Sequence, residues 1–574
     1  MKKVKMVFER NKNNKIYLIF KFMFCIIFSL TMILDSALVF NGDVNSRLEQ
    51  THFNHLETWN ILIGIITFVI ANACFILFET FSDKIEKSIY NKNIRNNTKK
   101  KNVTFFCTIF LILVLFWIPY IVSYFPGGVF ADTIAAINQA TGAVEITNHN
   151  PILYTLIIKL FLKIGKLFGN QLYGLRVFTV VQEFTMALIL TYYIYKLYKE
   201  NISIKIIILT TLYFGLFELV PLYAVSLWKD VPFSLALFMF IINIWDIAKR
   251  EGKELFKYKN TLYYCFLSLL VMFFRNNGKY IVFLVTLILI IQYRKNIIKI
   301  AKKFIVLSFA TIIFTFIIQG PIYNKFSLNG PFNENLGILD QQICYVVYTD
   351  GKITDEQKEF ISNIIPLESI KEHYTPLDID NIKWGDTHFS EKYIEENKAQ
   401  YFKVWFEIFL QNPKRYVIAY LYNTLGYWDV NKAIFYGYTQ ETMWPGLEEK
   451  DTGYIQYDFI YKITGKSIRN ILKPNIAISS ALFFVITLIF MLITIYKKNY
   501  KYLVLFGPSI LTYLSILVAV PLAFTLRYIY ILVLTIPLYY IVPFIKENDE
   551  KKIWRVYRKF KIWKGNRWWK NIMR

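Results

Sequence analysis

The chain has 574 residues, 55% of them hydrophobic and 18% aromatic, a composition well outside the range of soluble globular proteins. Its formal charge of +25 would point to nucleic acid in a soluble protein, but here the Lys and Arg residues sit in short clusters between long apolar runs. They read as topology signals, and nucleic-acid binding is excluded.

The N-terminus is basic (Lys2, Lys3, Lys5, Arg10, Lys12, Lys15) and therefore cytoplasmic. The apolar stretch Ile16 to Phe40 that follows is too long for a signal-peptide core and lacks an A-x-A site, so it stays as an anchor. Spans at about 16–40 and 59–79 form an outward and a returning pass, and the loop Lys84 to Lys101 is strongly basic and cytoplasmic. A third span (about 103–124) exits to Phe125-Pro126-Gly127-Gly128 and a polar loop reaching Asn150. In Ile152 to Phe168, Lys159, Lys163 and Lys166 share one helix face, which predicts an interfacial helix on the outer surface.

A fourth span (about 172–195) re-enters, and spans at about 204–221 and 231–247 make a hairpin whose turn is Leu222 to Asp230. Two short spans (about 261–274 and 280–292) flank Arg275-Asn276-Asn277-Gly278-Lys279, and a ninth (about 304–320) leads into a mixed-polarity segment, 321–474. Aromatics recur through that segment, so a small, mostly helical extracytoplasmic domain is expected there. Spans at about 476–496, 502–520 and 525–544 complete the set, ahead of a basic cytoplasmic tail with Trp554, Trp563, Trp568 and Trp569.

The sequence thus predicts an all-α polytopic membrane protein of about twelve transmembrane helices. It divides into an N-terminal two-span extension with a basic loop (1–102), a transmembrane core (103–320), an extracytoplasmic domain (321–474), C-terminal spans (475–545) and a basic Trp-rich tail (546–574). Both termini are cytoplasmic, and richness in Lys, Asn and Ile points to a bacterial cell membrane. Of five cysteines only Cys344 lies in a polar segment, so no disulfide framework is expected.

Ionisable groups at membrane depth are costly and need a reason. Asp132, Lys229-Asp230, Arg275 with Lys279, and Arg527-Tyr528 all fall on the outer side of this topology, with His149 closing the first large loop. One carboxylate after a Pro-Gly-Gly turn, with cations from three other segments, describes a polar cavity whose positive charge suits a phosphate. A carboxylate facing those cations can serve as general base for an attacking hydroxyl.

Pro126-Gly127 with Asp132, Asn148-His149-Asn150-Pro151, Trp228-Lys229-Asp230-Val231-Pro232, Arg275-Asn276-Asn277-Gly278, Gln341-Gln342, Gly426-Tyr427-Trp428 and Arg527-Tyr528 occur in an order that resembles the GT-C superfamily of multispanning glycosyltransferases. The likeness spans roughly 103 to 545 and is nearest to a group of such proteins in Gram-positive bacteria. The resemblance implies transfer of a sugar from a polyprenyl-phosphate donor to a hydroxyl acceptor (glycan, lipid or protein) outside the cell, for cell-envelope glycan or glycolipid modification. By position it makes Asp132 the catalytic carboxylate and gives the donor phosphate to Lys229, Arg275 and Arg527. His149, Asp230, Asn276, Lys279 and Tyr528 are further candidate substrate contacts. No tightly bound cofactor is expected, and no metal ligands are assigned. The adjacent acidic pair familiar in that superfamily is absent, Asp132 being followed by Thr133, and a lone carboxylate is a poor site for a hard cation.

Two other readings compete. A transporter or flippase of lipid-linked saccharides would use Glu183, beside Gln182 in the fourth span, as a proton relay, whereas a structural role for it is a helix–helix hydrogen bond. A polysaccharide polymerase or ligase shares lipid-linked substrates and external arginines.

Overall fold

The computed structural model describes residues 14–90, 98–124, 126–300, 302–434, 465, 477–519 and 522–545. The basic N-terminus, most of the basic loop after the second span, the end of the polar segment and the Trp-rich tail lie outside the described residues.

Apolar runs become helices throughout, and eight helices among the described residues are long and apolar enough to cross a membrane, with three shorter apolar ones at Ile204–Leu216, Gly278–Gln292 and Ser480–Tyr496. Helices α1 (Lys15–Ala37), α2 (Thr58–Ile89) and α3 (Lys99–Ser123) bury only 11–22% of their apolar windows against protein, so they are peripheral and face lipid. The connection between α1 and α2 carries a two-stranded antiparallel sheet, β1 (Leu38–Val39) on β2 (His52–Phe53), with Leu38 opposite Phe53. This extension is tied to the rest at both ends. Lys432 Nζ reaches Asp35 at 2.8 Å at one end, and Lys497 Nζ bridges Asp83 and Glu86 at 2.9 and 3.0 Å at the other.

After α3 come α4 (Ala131–Thr141), α5 (Ile152–Leu167) and the long α6 (Gln171–Lys199). The interfacial-helix expectation meets α5, which buries Tyr154, Ile158 and Leu162 and leaves Lys163 and Lys166 exposed. It crosses α6 backbone against backbone. A Cβ on Gly165 would stand 2.5 Å from Gly174 N, and one on Gly174 would stand 2.1 Å from Phe161 O, so only glycine fits at either position.

The span expected over 204–221 is broken. Helix α7 (Ile204–Leu216) stops there and a separate short helix, Leu219–Ala224, follows. Pro221 lacks an N–H and tolerates only a first helical turn, which forces the restart. Helix α8 (Asp230–Lys249) is the centre of the bundle, 83% of its apolar window being buried. Helices α9 (Tyr258–Phe274) and α10 (Gly278–Gln292) flank the tight Arg275–Asn277 turn, and α11 (Lys302–Ile317) continues through a wide turn at Pro321 as far as Lys325. The polar domain therefore begins near Phe326, a few residues later than its sequence boundary.

Three longer helices, α12 (Gly337–Tyr348), α13 (Lys398–Gln411) and α14 (Pro413–Asn423), and several short ones build that domain around Val346, Ile361, Ile370, Leu377, Ile382, Tyr401 and Ile408. Gln341 and Gln342 belong to this core. Gln341 Nε2 donates to Thr375 O and Pro376 O, and Gln342 Oε1 accepts from Trp405 Nε1 at 2.9 Å. Helices α15 (Ser480–Tyr496), α16 (Gly507–Ala519) and α17 (Tyr530–Ile541) close the bundle. The end of α9 and the starts of α8, α10 and α17 come together through Arg275, Asp230 and Tyr528 at one end of the bundle, here called the site end.

Candidate functional site

Two segments far apart in sequence pair to frame the site. Gly128 N donates to Val225 O at 2.9 Å and Leu227 N to Gly128 O at 2.8 Å, a parallel bridge between the Pro-Gly-Gly turn and the approach to α8. Gly127 holds φ +149°, and a Cβ there would strike Thr179 Oγ1 at 2.3 Å, so the turn needs glycine for both space and conformation. Phe130 stacks on Trp228 with centroids 4.0 Å apart, and Tyr154 Oη donates to Leu227 O at 2.5 Å. These contacts place Asp132, in the first turn of α4, beside Lys229, immediately before α8. A carboxylate in a first helical turn also suits the helix dipole.

Arg527 Nη1 donates to Asp132 Oδ2 at 2.7 Å, and Lys229 Nζ stands 3.6 Å from the same oxygen. Lys229 Nζ also donates to Asn150 Oδ1 at 2.8 Å, while Asn150 Nδ2 donates to Asp132 O at 3.2 Å, closing a ring of contacts around the carboxylate. Arg275 Nη1 donates to Asp230 Oδ1 at 2.7 Å and to Tyr528 O at 3.0 Å. The Tyr528 ring lies 4.9 Å from the Arg275 guanidinium carbon and 5.0 Å from that of Arg527, so one aromatic ring orients both forks. Asn148 Nδ2 donates to Asn276 Oδ1 at 2.9 Å and Asn276 Nδ2 to Asn148 O at 3.0 Å, a reciprocal clasp holding the Arg275 turn against the His149 loop.

The four residues assigned to catalysis and phosphate binding thus come together. They do not play equal parts. The Asp132 side chain is 24% exposed whereas that of Asp230 is 1% exposed, so Asp132 alone of the two can meet a ligand. Asp230 anchors Arg275, and its Oδ2 is buried with no hydrogen-bond partner among the described residues. Three cations face two carboxylates, leaving one positive charge in excess, or two with Lys279.

Burial pushes the Asp132 carboxyl up, but Arg527 and Lys229 outweigh it and hold it well below the usual carboxylate range. Burial and Lys229 push His149 down, which keeps its ring neutral at pH 7.

Beside this cluster opens a cavity of about 500 Å³, lined on the membrane side by His149, Lys229, Arg275, Asn276, Lys279 and Tyr528. Its other wall comes from the polar domain, through Asn329, Glu334, Glu395 and Lys398. Lys279 Nζ sits over the Tyr280 and Phe316 rings and Lys398 Nζ over the Phe332 ring, and neither has an ion-pair partner among the described residues. Sequence reading missed Glu334, Glu395 and Lys398, which look like ordinary solvated charges until the domain folds over the site. It also missed Asp380, within electrostatic range of Asp132 and Tyr528, whose carboxyl burial and Asp378 push up to about 7. Among the described residues no three His, Cys, Asp or Glu side chains gather in a way that could hold a metal ion.

Away from the site, Gln182 Nε2 donates to Ala224 O and Ser226 O at 2.9 and 2.8 Å, bracing the restart helix and the bridge strand from α6. Tyr427 and Trp428 are structural, donating to Thr525 O and Leu421 O.

Fold and site together define an all-α polytopic membrane protein with a charged cavity between its bundle and a polar domain. Residues 141–555 match the model of DUF6020, a family of unknown function, and the chain belongs to that family. No curated protein and no solved structure matches it.

Proposed function

We propose that the protein is a GT-C-type membrane glycosyltransferase, moving a sugar from a polyprenyl-phosphate donor to a hydroxyl acceptor with its site end outside the cell and both termini in the cytoplasm. The observation that carries this reading is a part-exposed carboxylate, Asp132, fenced by Arg527 and Lys229 beside a cavity with an excess of positive charge. In this reading the donor phosphate enters between Lys229, Arg275 and Arg527, and the acceptor oxygen attacks the anomeric carbon. The bond from that carbon to the phosphate oxygen breaks, the lipid phosphate leaves with the electron pair, and the acceptor proton passes to Asp132. The leaving group needs no acid because the cations stabilise its charge, and direct displacement inverts the anomeric centre.

The ion pairs add a condition to this scheme. A carboxylate held by two cations is a weak base. A donor phosphate competes for Arg527 and Lys229, which loosens their hold on Asp132 and raises its proton affinity when the donor is in place. Base strength and donor occupancy are then linked.

The competing reading, transport of a lipid-linked saccharide, draws on Glu183, buried in α6 with Oε2 lacking a hydrogen-bond partner among the described residues. The full chain in sealed liposomes, given a panel of polyprenyl-phosphate sugars and hydroxyl acceptors, separates the two. Donor turnover in the wild type that disappears in Asp132→Asn supports transfer with Asp132 as base. Turnover untouched by that change removes Asp132 from the reaction, and translocation without turnover replaces the transferase by a transporter.

A further inference from the structure

Helix α13 is amphipathic in a way the polar domain does not use up. Tyr401, Val404 and Ile408 point into the domain core, at 1%, 3% and 0% exposure. On the other face Phe402, Phe406 and Leu410 are 45%, 51% and 62% exposed. Spaced four apart, these three form one row along the helix. Val417 of α14, 57% exposed, extends it. Contiguous rows of large apolar side chains left open by a folded domain mark a surface that something covers.

Continuity with the bundle says what covers it. Tyr420 of α14 donates its hydroxyl to Leu517 O at 3.1 Å, which fixes the α13–α14 pair to the last turn of α16 at the site end. On that same stretch of α16, Leu514 and Val518 are 45% and 79% exposed, and a membrane-crossing helix exposes such residues to lipid. The α13–α14 pair is therefore docked beside the lipid-facing end of α16. Lys398, Lys403 and Lys414 flank it at its ends and side, where long basic side chains reach lipid phosphates from an interfacial helix. A second copy of the chain is the poorer occupant, because three or four side chains fall well short of the roughly 800 Å² per partner of a stable interface.

We infer that α13 is seated in the bilayer: its Phe402–Phe406–Leu410 row lies in the lipid leaflet at the site end and holds the polar domain down on the membrane. The helix starts at Lys398, which lines the cavity, so the cavity mouth sits at headgroup level. An amphiphile then reaches it from the leaflet without crossing water. This seat is independent of the reaction proposed above.

Nitroxides at Phe406→Cys and Leu410→Cys, in a full-length chain whose five native cysteines are replaced by serine, test this in liposomes through collision with oxygen and with a nickel chelate. Bilayer seating predicts oxygen-dominated accessibility at both positions, with the reverse at the exposed Lys358→Cys control. Nickel-dominated accessibility at 406 would place the row in water and overturn the inference. Low accessibility to both reagents would mean that protein covers it, from a second copy or another segment of this chain, and overturn it equally. Benzoylphenylalanine at 406 in the otherwise native chain gives the same answer without removing cysteines: photolysis should add the mass of one phospholipid, and a protein–protein crosslink instead refutes the seat.

Discussion

On and behind the membrane wall of the cavity, Lys279 apart, the cations already have anions: Lys229 and, behind it, Arg527 hold Asp132, and Arg275 holds Asp230. On the polar-domain wall the exposed Glu395 and Lys398 have no ion-pair partner among the described residues. The difference follows from burial. A side chain such as Asp230, 1% exposed, cannot remain charged without a counter-charge, whereas a part-exposed charge is solvated by water and gains little from pairing. The first wall is a preorganised frame whose geometry is set before a ligand arrives. The second is free to rearrange around one.

Breaking the frame should have the largest effect. Arg275→Gln leaves Asp230 buried and uncompensated, and removes the link to Tyr528 O. Loss of one partner of a buried pair costs about 3–5 kcal/mol. Thermal unfolding in detergent should show that loss, and Asp230→Asn added to it should restore most of the stability by removing the stranded charge. If the single variant is as stable as the wild type, water reaches Asp230 and the membrane wall is not a rigid frame.

Among the buried carboxylates of the polar domain, Asp340 lacks such a frame. Asp340 is 4% exposed and accepts from Tyr401 Oη at 2.5 Å, with no cation in ion-pair range among the described residues. Burial pushes its carboxyl up to about 6, against the pull of Lys383 and Tyr401. An unfolded aspartate loses its proton near about 3.9. Between those values the folded state binds more protons, so stability is greatest at low pH, falls as pH rises toward 6 and levels off above it. That difference in proton affinity corresponds to about 3 kcal/mol. Asp340→Asn keeps the acceptor for Tyr401 and removes the titration. It should make the fall in melting temperature of the full chain shallower between pH 4 and 6, leaving the part that Asp380 contributes nearer pH 7, and raise the melting temperature at pH 8; a variant that keeps the wild-type slope would refute the assignment.

The apolar helices were legible in the sequence because each depends on a local run long enough to span the bilayer. The common sidedness of Asp132, Lys229, Arg275 and Arg527 was legible from the alternation of basic loops. Their pairing was not. Asp132 and Arg527 are 395 residues apart and Asp230 and Arg275 are 45 apart, and no local periodicity reports on contacts made by packing at that range. The split of the 204–221 run at Leu216 did have a signal in Pro221, outweighed in the sequence by continuous apolarity. Asn150 stood inside a quoted motif without a role, because its task, bracing Lys229 and the Asp132 carbonyl, exists only once two loops meet.

The smallest effect is expected on the adaptable wall, and it is the most informative about ligand class. Lys398 is exposed, sits over the Phe332 ring and has no ion-pair partner among the described residues, so Lys398→Ala should change stability by no more than about 0.5 kcal/mol. An exposed cation facing an anionic ligand contributes about 0.5–1 kcal/mol, which is a loss of roughly two- to fivefold in affinity. Calorimetric titration with a short-chain polyprenyl phosphate should show that loss at low salt and shrink it at high salt, as screening removes the attraction. Arg527→Gln should weaken the same ligand far more at either ionic strength, because a buried fork is shielded from the salt. A loss of similar size and salt dependence for both variants would mean that the two walls bind alike, and the contrast between frame and adaptable face would have to be abandoned.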